Sequence, residues 1–292
     1  MPSLTVSEAA GRLVVRGEDF QLTFDTLHGS LVDWIYQETP LLVAGPAVNF
    51  WRAPTDNDVH QMAGLWRGAG LDRLASRVSS LTWHQISPSE VRIEVEQKLA
   101  PISRPPAFSV QSLYTLSGNG ELVLETHVTP HGDLPPLPRL GLEMHMPAGF
   151  NQFAWAGLGP HESYPDRRES VKFGVYRGTV AEQFENYIRP QENGNKSDVR
   201  WAAVTNCLGI GLLATAQPLC NTSVHHFTPA DLTRAEHTYD LKPRPETIWH
   251  LDHAVGGLGS QSCGPGPQPQ YLLNAKETHF TVRFVPISTA SA

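Results

Sequence analysis

The sequence predicts an all-β fold of packed antiparallel sheets, on three observations. Apolar and polar residues alternate one by one in several short runs, the pattern of strands with one wet face. Glycine and proline are abundant, 24 of each in 292 residues, as many strands joined by turns and long connections require. Helical periodicity is scarce, and the strand–helix–strand rhythm of a parallel sheet is absent.

Residues 20–25, FQLTFD, place three apolar side chains on one face and three polar ones on the other. Residues 30–36, SLVDWIY, supply the next strand. Residues 59–74 suggest a helix broken by Gly64, Gly68 and Gly70. Residues 91–96, VRIEVE, alternate again. Strands are also expected at 110–116 and 122–128, joined as a hairpin by the turn Ser117-Gly118-Asn119-Gly120. Further strands are expected at 140–146, 210–214 and 280–284. Between the last two, Thr228-Pro229-Ala230-Asp231 reads as a helix start, with Thr228 as N-cap and Pro229 at the first helical position. That helix is expected to run to about His237. The proline-rich stretches at 104–106, 134–138 and 264–267 read as loops inside one unit, and residues 1–292 are expected to form a single unit without internal repeats.

Composition narrows the function classes. The chain is 40% hydrophobic and 17% charged, with 22 basic and 29 acidic side chains for a net charge of −7. No dense basic run exists, which argues against nucleic-acid and anionic-membrane partners. Cys207, Cys220 and Cys263 are too few, and odd in number, for a disulfide framework. With no secretion signal and no apolar run long enough to span a bilayer, the expected location is cytoplasmic. Asn195-Lys-Ser and Asn221-Thr-Ser match the glycosylation pattern and read as chance occurrences.

Four polar stretches interrupt the strands. The first is FWRAPTDND at residues 50–58. Arg52, Asp56 and Asp58 could hydrogen-bond sugar hydroxyls, or could form a buried Arg–Asp network that fixes a turn. The residue types favour the network, because buried charges persist mainly when paired. In the second, residues 155–168, His161 and Glu162 could supply acid/base chemistry. Neighbours on extended backbone point apart, however, so a structural network is again favoured. The third, residues 188–195, carries Glu192 and an Asn-Gly turn signal. The fourth, residues 249–265, holds His250, Asp252 and His253. On a strand His250 and Asp252 share a face that His253 does not, so no metal site is expected. Cys263 has no general base fixed beside it in sequence, which leaves a thiol nucleophile without support. Trp51, Trp66, Trp155, Trp201 and Trp249 lie in or beside these loops. Core packing is the default for any one of them, but their repetition favours a carbohydrate site.

Taken together, the polar stretches resemble the last domain of glycoside hydrolase family 2 β-galactosidases of the LacZ type. Asn49-Phe-Trp-Arg-Ala-Pro-Thr-Asp-Asn-Asp resembles the signature near that domain's start. Gly157-Leu-Gly-Pro-His-Glu-Ser-Tyr-Pro-Asp-Arg, Tyr187-Ile-Arg-Pro-Gln-Glu-Asn-Gly and the run from Thr228 to Tyr239 follow in the family's order. Leu251-Asp, Gly257-Leu-Gly-Ser and Ser262-Cys-Gly-Pro are similar to its closing motif. The resemblance covers about residues 10–286.

It implies the antiparallel β-supersandwich shared with galactose mutarotases. It also implies that both catalytic glutamates, with magnesium and sodium, belong to a TIM barrel outside this chain, so that this chain carries no cofactor. The chain then looks like a small chain or last domain that shapes the galactoside site of a large catalytic chain and hydrolyses nothing alone. The expected partners are that catalytic chain and galactosides. Some members send a tryptophan from the closing motif onto the sugar. Cys263 stands at that position here, and the stacking role is not carried over. The segment at 137–142 borders the family's active site, so Arg139 is expected to face the sugar in an assembled enzyme. FWRAPTDND is expected to be a structural, pocket-shaping corner with Arg52 paired to Asp56 or Asp58. Two alternatives remain: a stand-alone sugar-binding module, or a mutarotase-like aldose epimerase drawing its acid and base from His161, Glu162, Glu192, His250 and His253.

Overall fold

The structure is a computed structural model that describes residues 1–288. Strands β1 (Thr5–Ala9), β2 (Arg12–Arg16), β3 (Phe20–Asp25), β4 (Ser30–Tyr36) and β5 (Thr39–Pro40) form an antiparallel sheet in chain order. The strands that follow are β6 (Ala44–Asn49), β7 (Leu74–Ser87), β8 (Glu90–Pro101), β9 (Phe108–Ser117), β10 (Leu122–Pro130) and β11 (Arg139–Met146). Then come β12 (Gln152–Gly159), β13 (Lys172–Thr179), β14 (Lys196–Thr205), β15 (Ile210–His225), β16 (Thr247–Val255) and β17 (Thr278–Ser288). The long sheet runs β13-β12-β14-β15-β17-β10-β9-β8-β7, and β16, β11 and β6 branch from it at β15.

The branch follows from the length of β15. Residues 210–217 of this strand pair with β17, and residues 221–225 pair with β16. One strand thereby crosses from the long sheet into the layer that covers it. The alternation read from sequence decides what faces inward. On β3, Phe20, Leu22 and Phe24 are buried, and Phe24 meets Tyr114 of β9 edge-on with ring centroids 5.1 Å apart. Trp34 meets Phe284 at 6.4 Å, so the five-stranded sheet packs on the inner face of the long one. Phe50, beyond β6, stacks on Phe108 at 3.9 Å and closes the same layer from the branch side. The apolar core is continuous from Leu4 to Phe284.

The expected strands are present. β3 and β4 have the expected limits, and the other six expected runs lie inside β8, β9, β10, β11, β15 and β17. Leu116 and Leu122 face each other across the 117–120 turn. Two helical expectations need correction. The helix expected over 59–74 is shorter, α1 (Met62–Ala69). Gly64 and Gly68 sit inside it with nothing near their Cβ positions. Only Gly70, left-handed at φ 77°, ends it. The helix opened by Thr228 has the capping box expected but stops at Arg234, giving α2 (Pro229–Arg234). The chain is extended at Ala235, and Asp240 then accepts the backbone N–H groups of Glu236 and His237. No helix among the described residues is long and apolar enough to cross a membrane.

Candidate functional site

The FWRAPTDND corner sits between the end of β6 and α1. Arg52 is buried and bonds with both guanidinium edges. Nη2 and Nε donate to the two carboxylate oxygens of Asp58 at 2.8 and 3.3 Å. Nη1 donates to Gly256 O at 2.6 Å, and Nη2 also to Gly257 O at 3.1 Å. The Trp66 ring lies 5.2 Å from the guanidinium. Asp58 also accepts the Thr55 N–H at 2.9 Å. The partner is thus Asp58 and not Asp56, whose exposed carboxylate takes only a long bond from Gln191 at 3.4 Å. The space left beside Arg52, Asp58 and Trp66 is about 10 Å³, room for one water and not for a sugar. The corner is a fastening between distant segments. Arg52→Lys keeps the charge but loses the fork, and is expected to cost roughly 2 kcal/mol in urea unfolding. A loss below half of that would show that the fork is not what holds the corner.

Arg139, at the start of β11, is wholly enclosed. Its Nη2 donates to Glu192 Oε1 at 2.7 Å. Its Nε stands 3.0 Å from Asp252 Oδ2, but off the N–H axis, so Asp252 receives no hydrogen bond from the protein. Burial opposes the charge on Arg139, yet Asp252 and Glu192 outweigh it and raise its pKa. Burial pushes the Asp252 carboxyl up to about 7 against the pull of Arg139. The expectation that Arg139 faces a sugar is therefore corrected: two carboxylates hold the guanidinium inside. Two buried imidazoles adjoin this cluster. Burial lowers His225 to about 4, and its Nε2 lies 2.9 Å from Asn193 O, so the neutral ring donates there. His250 is lowered well below the ordinary value, by burial first and then by Arg139. It shares its face of β16 with Asp252, while His253 turns away and stacks on Phe280 at 5.4 Å.

His161 and Glu162 part as adjacent extended residues should. His161 is exposed and Glu162 buried. Glu162 is bonded to Arg167 and Tyr187, and its Oε2 accepts the Gly194 N–H at 2.8 Å. Glu192 is tied by its own N–H to Ala53 O at 3.1 Å. Asp166, which sequence reasoning did not single out, accepts the N–H groups of Leu258 and Gly259 at 3.0 and 2.7 Å. Asn57 donates to Gly259 O at 2.8 Å and accepts the Ser262 N–H at 2.9 Å. These bonds fix the loop that bears Cys263, whose side chain is exposed. Lys196 was also missed. It is buried with Nζ 5.1 Å from the Trp155 ring, and burial lowers it to about 8.

The four polar stretches, far apart in sequence, are thus stitched into one end of the fold. What they form is a rigid set of loops. Asp58, Glu162, Glu192 and Asp252 each face a guanidinium, and Asp166 faces backbone N–H groups. Larger surface hollows lie elsewhere, over Glu94, Glu96, Glu125 and His127 (about 280 Å³) and between Glu18 and Glu38 (about 530 Å³). Among the described residues, no three His, Cys, Asp or Glu side chains are disposed to hold a metal ion.

The family model described as the β-galactosidase small chain matches residues 16–284. A β-galactosidase of Priestia megaterium is 33% identical over 283 residues, covering 95% of this chain and 27% of that protein. One of Arthrobacter sp. strain B7 is 33% identical over 290 residues, covering 89% of this chain and 27% of that protein. The chain spans about a quarter of the length of these relatives. Among solved structures, a protein of Salmonella typhimurium proposed to be a mutarotase aligns with a TM-score of 0.52 at 12% identity, covering 99% of this chain and 95% of that one. One of Escherichia coli K12 proposed to be an aldose 1-epimerase aligns at 0.50 and 11% identity, covering 98% and 99%. At such identities the likeness shows the fold alone: a galactose-mutarotase-like antiparallel supersandwich.

Proposed function

The chain belongs to the β-galactosidase small-chain family, and on that premise we propose that it is the small chain or last domain of a glycoside hydrolase family 2 β-galactosidase of the LacZ type. In this reading it shapes the galactoside site of a catalytic TIM-barrel chain and does not hydrolyse galactosides alone. Magnesium and sodium are assigned to that catalytic part, and the cytoplasm is the proposed location.

The observation that carries the reading is where the motif carboxylates point. A retaining glycosidase needs an acid/base and a nucleophile about 5 Å apart across the scissile bond. Here Asp58, Glu162, Glu192 and Asp252 are all buried and each faces an arginine. None of them is free to meet a glycosidic oxygen. The relatives' remaining length is ample for a barrel. The epimerase alternative shares the fold but gains nothing from the geometry. His161 points outward, Glu162 is held by Arg167, and His250 is enclosed.

The test is hydrolysis of nitrophenyl galactoside by this chain alone, and by this chain mixed with the Priestia megaterium relative made without its last domain. Activity is expected only in the mixture. Turnover by the chain alone would overturn the reading.

A further inference from the structure

The outer face of the long sheet divides into two halves of opposite character. Over β8 and β10 it is charged, with Glu94, Glu96, Glu125 and His127 lining a shallow hollow. Across β13, β12 and β14 and the adjoining parts of β15 and β17 the same face carries an apolar patch. In register, Phe173 lies opposite Leu158, Leu213 opposite Val285, and Val175 and Trp201 flank Ala156 from either side. The alternate residues of these strands, including Trp155, Ala202, Ala214 and Phe284, form the core, so this set faces out. Phe173 is 50% and Val175 62% exposed.

A sheet face that meets water ordinarily carries polar residues, and a contiguous apolar patch with a charged rim marks an interaction surface. β13 pairs only with β12 among the described strands, so a long edge lies beside the patch and also calls for a cover. The rim decides what covers it. Its charged groups include Arg177, Arg200 and Arg283, with Glu121 beside Arg283. Arg200 lies 4.6 Å over the Phe173 ring, and only Arg283 is paired to a carboxylate, Glu121. A two-fold contact with a second copy would set this cationic rim against itself.

We propose that this face docks the catalytic part of the β-galactosidase, through an apolar patch on that part ringed by carboxylates. The proposal rests on the reading that the chain works with such a part. The relatives, of which this chain spans about a quarter, carry the remaining length that would present it.

The test titrates this chain into the Priestia megaterium catalytic part made without its last domain, and reads the concentration that gives half-maximal galactoside hydrolysis. Val175→Glu puts a carboxylate in the patch at an exposed position, and Arg177→Glu reverses the rim. Each is expected to raise that concentration at least tenfold without changing the melting temperature, the rim variant less so at high salt. Glu94→Lys, on the charged half, is expected to match wild type. Wild-type behaviour of both patch variants overturns the proposal and leaves the accessory reading standing. Failure of wild type itself to restore activity overturns both. A dimer of this chain, seen in sedimentation and abolished by Val175→Glu, overturns the proposal by giving the face to a second copy.

Discussion

Arg139→Met is expected to lower the unfolding free energy by about 3–5 kcal/mol, the usual cost of removing one partner from a buried ion pair. The substitution keeps the apolar stem of the side chain but not the bulk of its head, so the loss is mainly electrostatic with a smaller contribution from the space left. It leaves Glu192 enclosed without its cation, and Asp252 without the guanidinium that pulls against its protonation. Glu192 belongs to the stretch that also bonds Ala53 and, through Gly194, Glu162, so disorder should reach the 188–195 loop before the sheets. The combination Arg139→Met, Glu192→Gln and Asp252→Asn removes the charges together and is expected to recover most of the loss. Urea midpoints measure both. A single-variant loss under 1 kcal/mol would mean that the cluster is solvated in a way its burial does not suggest.

Asp252→Asn is expected to change how stability depends on pH. In the folded chain Asp252 keeps its proton to about pH 7, against an ordinary 3.8. Between those values the folded state binds a proton that the unfolded state has released, so stability falls as pH rises. This contribution is whole below 3.8 and gone above about 7. A rise from 3.8 to about 7 corresponds to roughly 4 kcal/mol. His145 acts in the same direction: its bond with Glu143 raises its pKa, so its contribution is lost as pH climbs through the folded value. His225 and His250 act oppositely. Both are lowered by burial, so the unfolded chain takes up protons below about 6.5 and stability falls with falling pH. Subtracting wild type from Asp252→Asn cancels the histidines. The difference should favour the variant increasingly from pH 4 to pH 8, by up to about 4 kcal/mol. A difference that stays flat over that range would show that Asp252 is ionised throughout.

Much of the fold could be read from residue order because many strands have one wet face. β3 and β10 alternate buried and partly exposed residues along their length, and period two is then visible. β16 could not be found this way. From Thr247 to Asp252 every residue is buried, since this strand lies between β11 and β15 with both faces covered, and alternation disappears. β12 carries Gly157 and Gly159 where Val199 and Tyr176 press close, so its composition reads as a loop. The site was partly readable. An arginine with two aspartates behind apolar rings announced a buried pair, but not which aspartate, because the turn geometry at Thr55 chooses Asp58. Arg139 was misplaced for a different reason. Its sequence neighbours are Pro138 and Leu140, while its partners arrive from β16 and from a loop 53 residues on. Lys196 gave no signal, since the polar run before it reads as a turn.

We propose that this chain completes a galactosidase and is not one. The initial rate of nitrophenyl-galactoside hydrolysis, followed as the chain is titrated into a catalytic part without its last domain, tests it most directly. The expected result is no rate from either component alone and a saturable rise on mixing. A rate proportional to the concentration of this chain alone, with no catalytic part present, would contradict it.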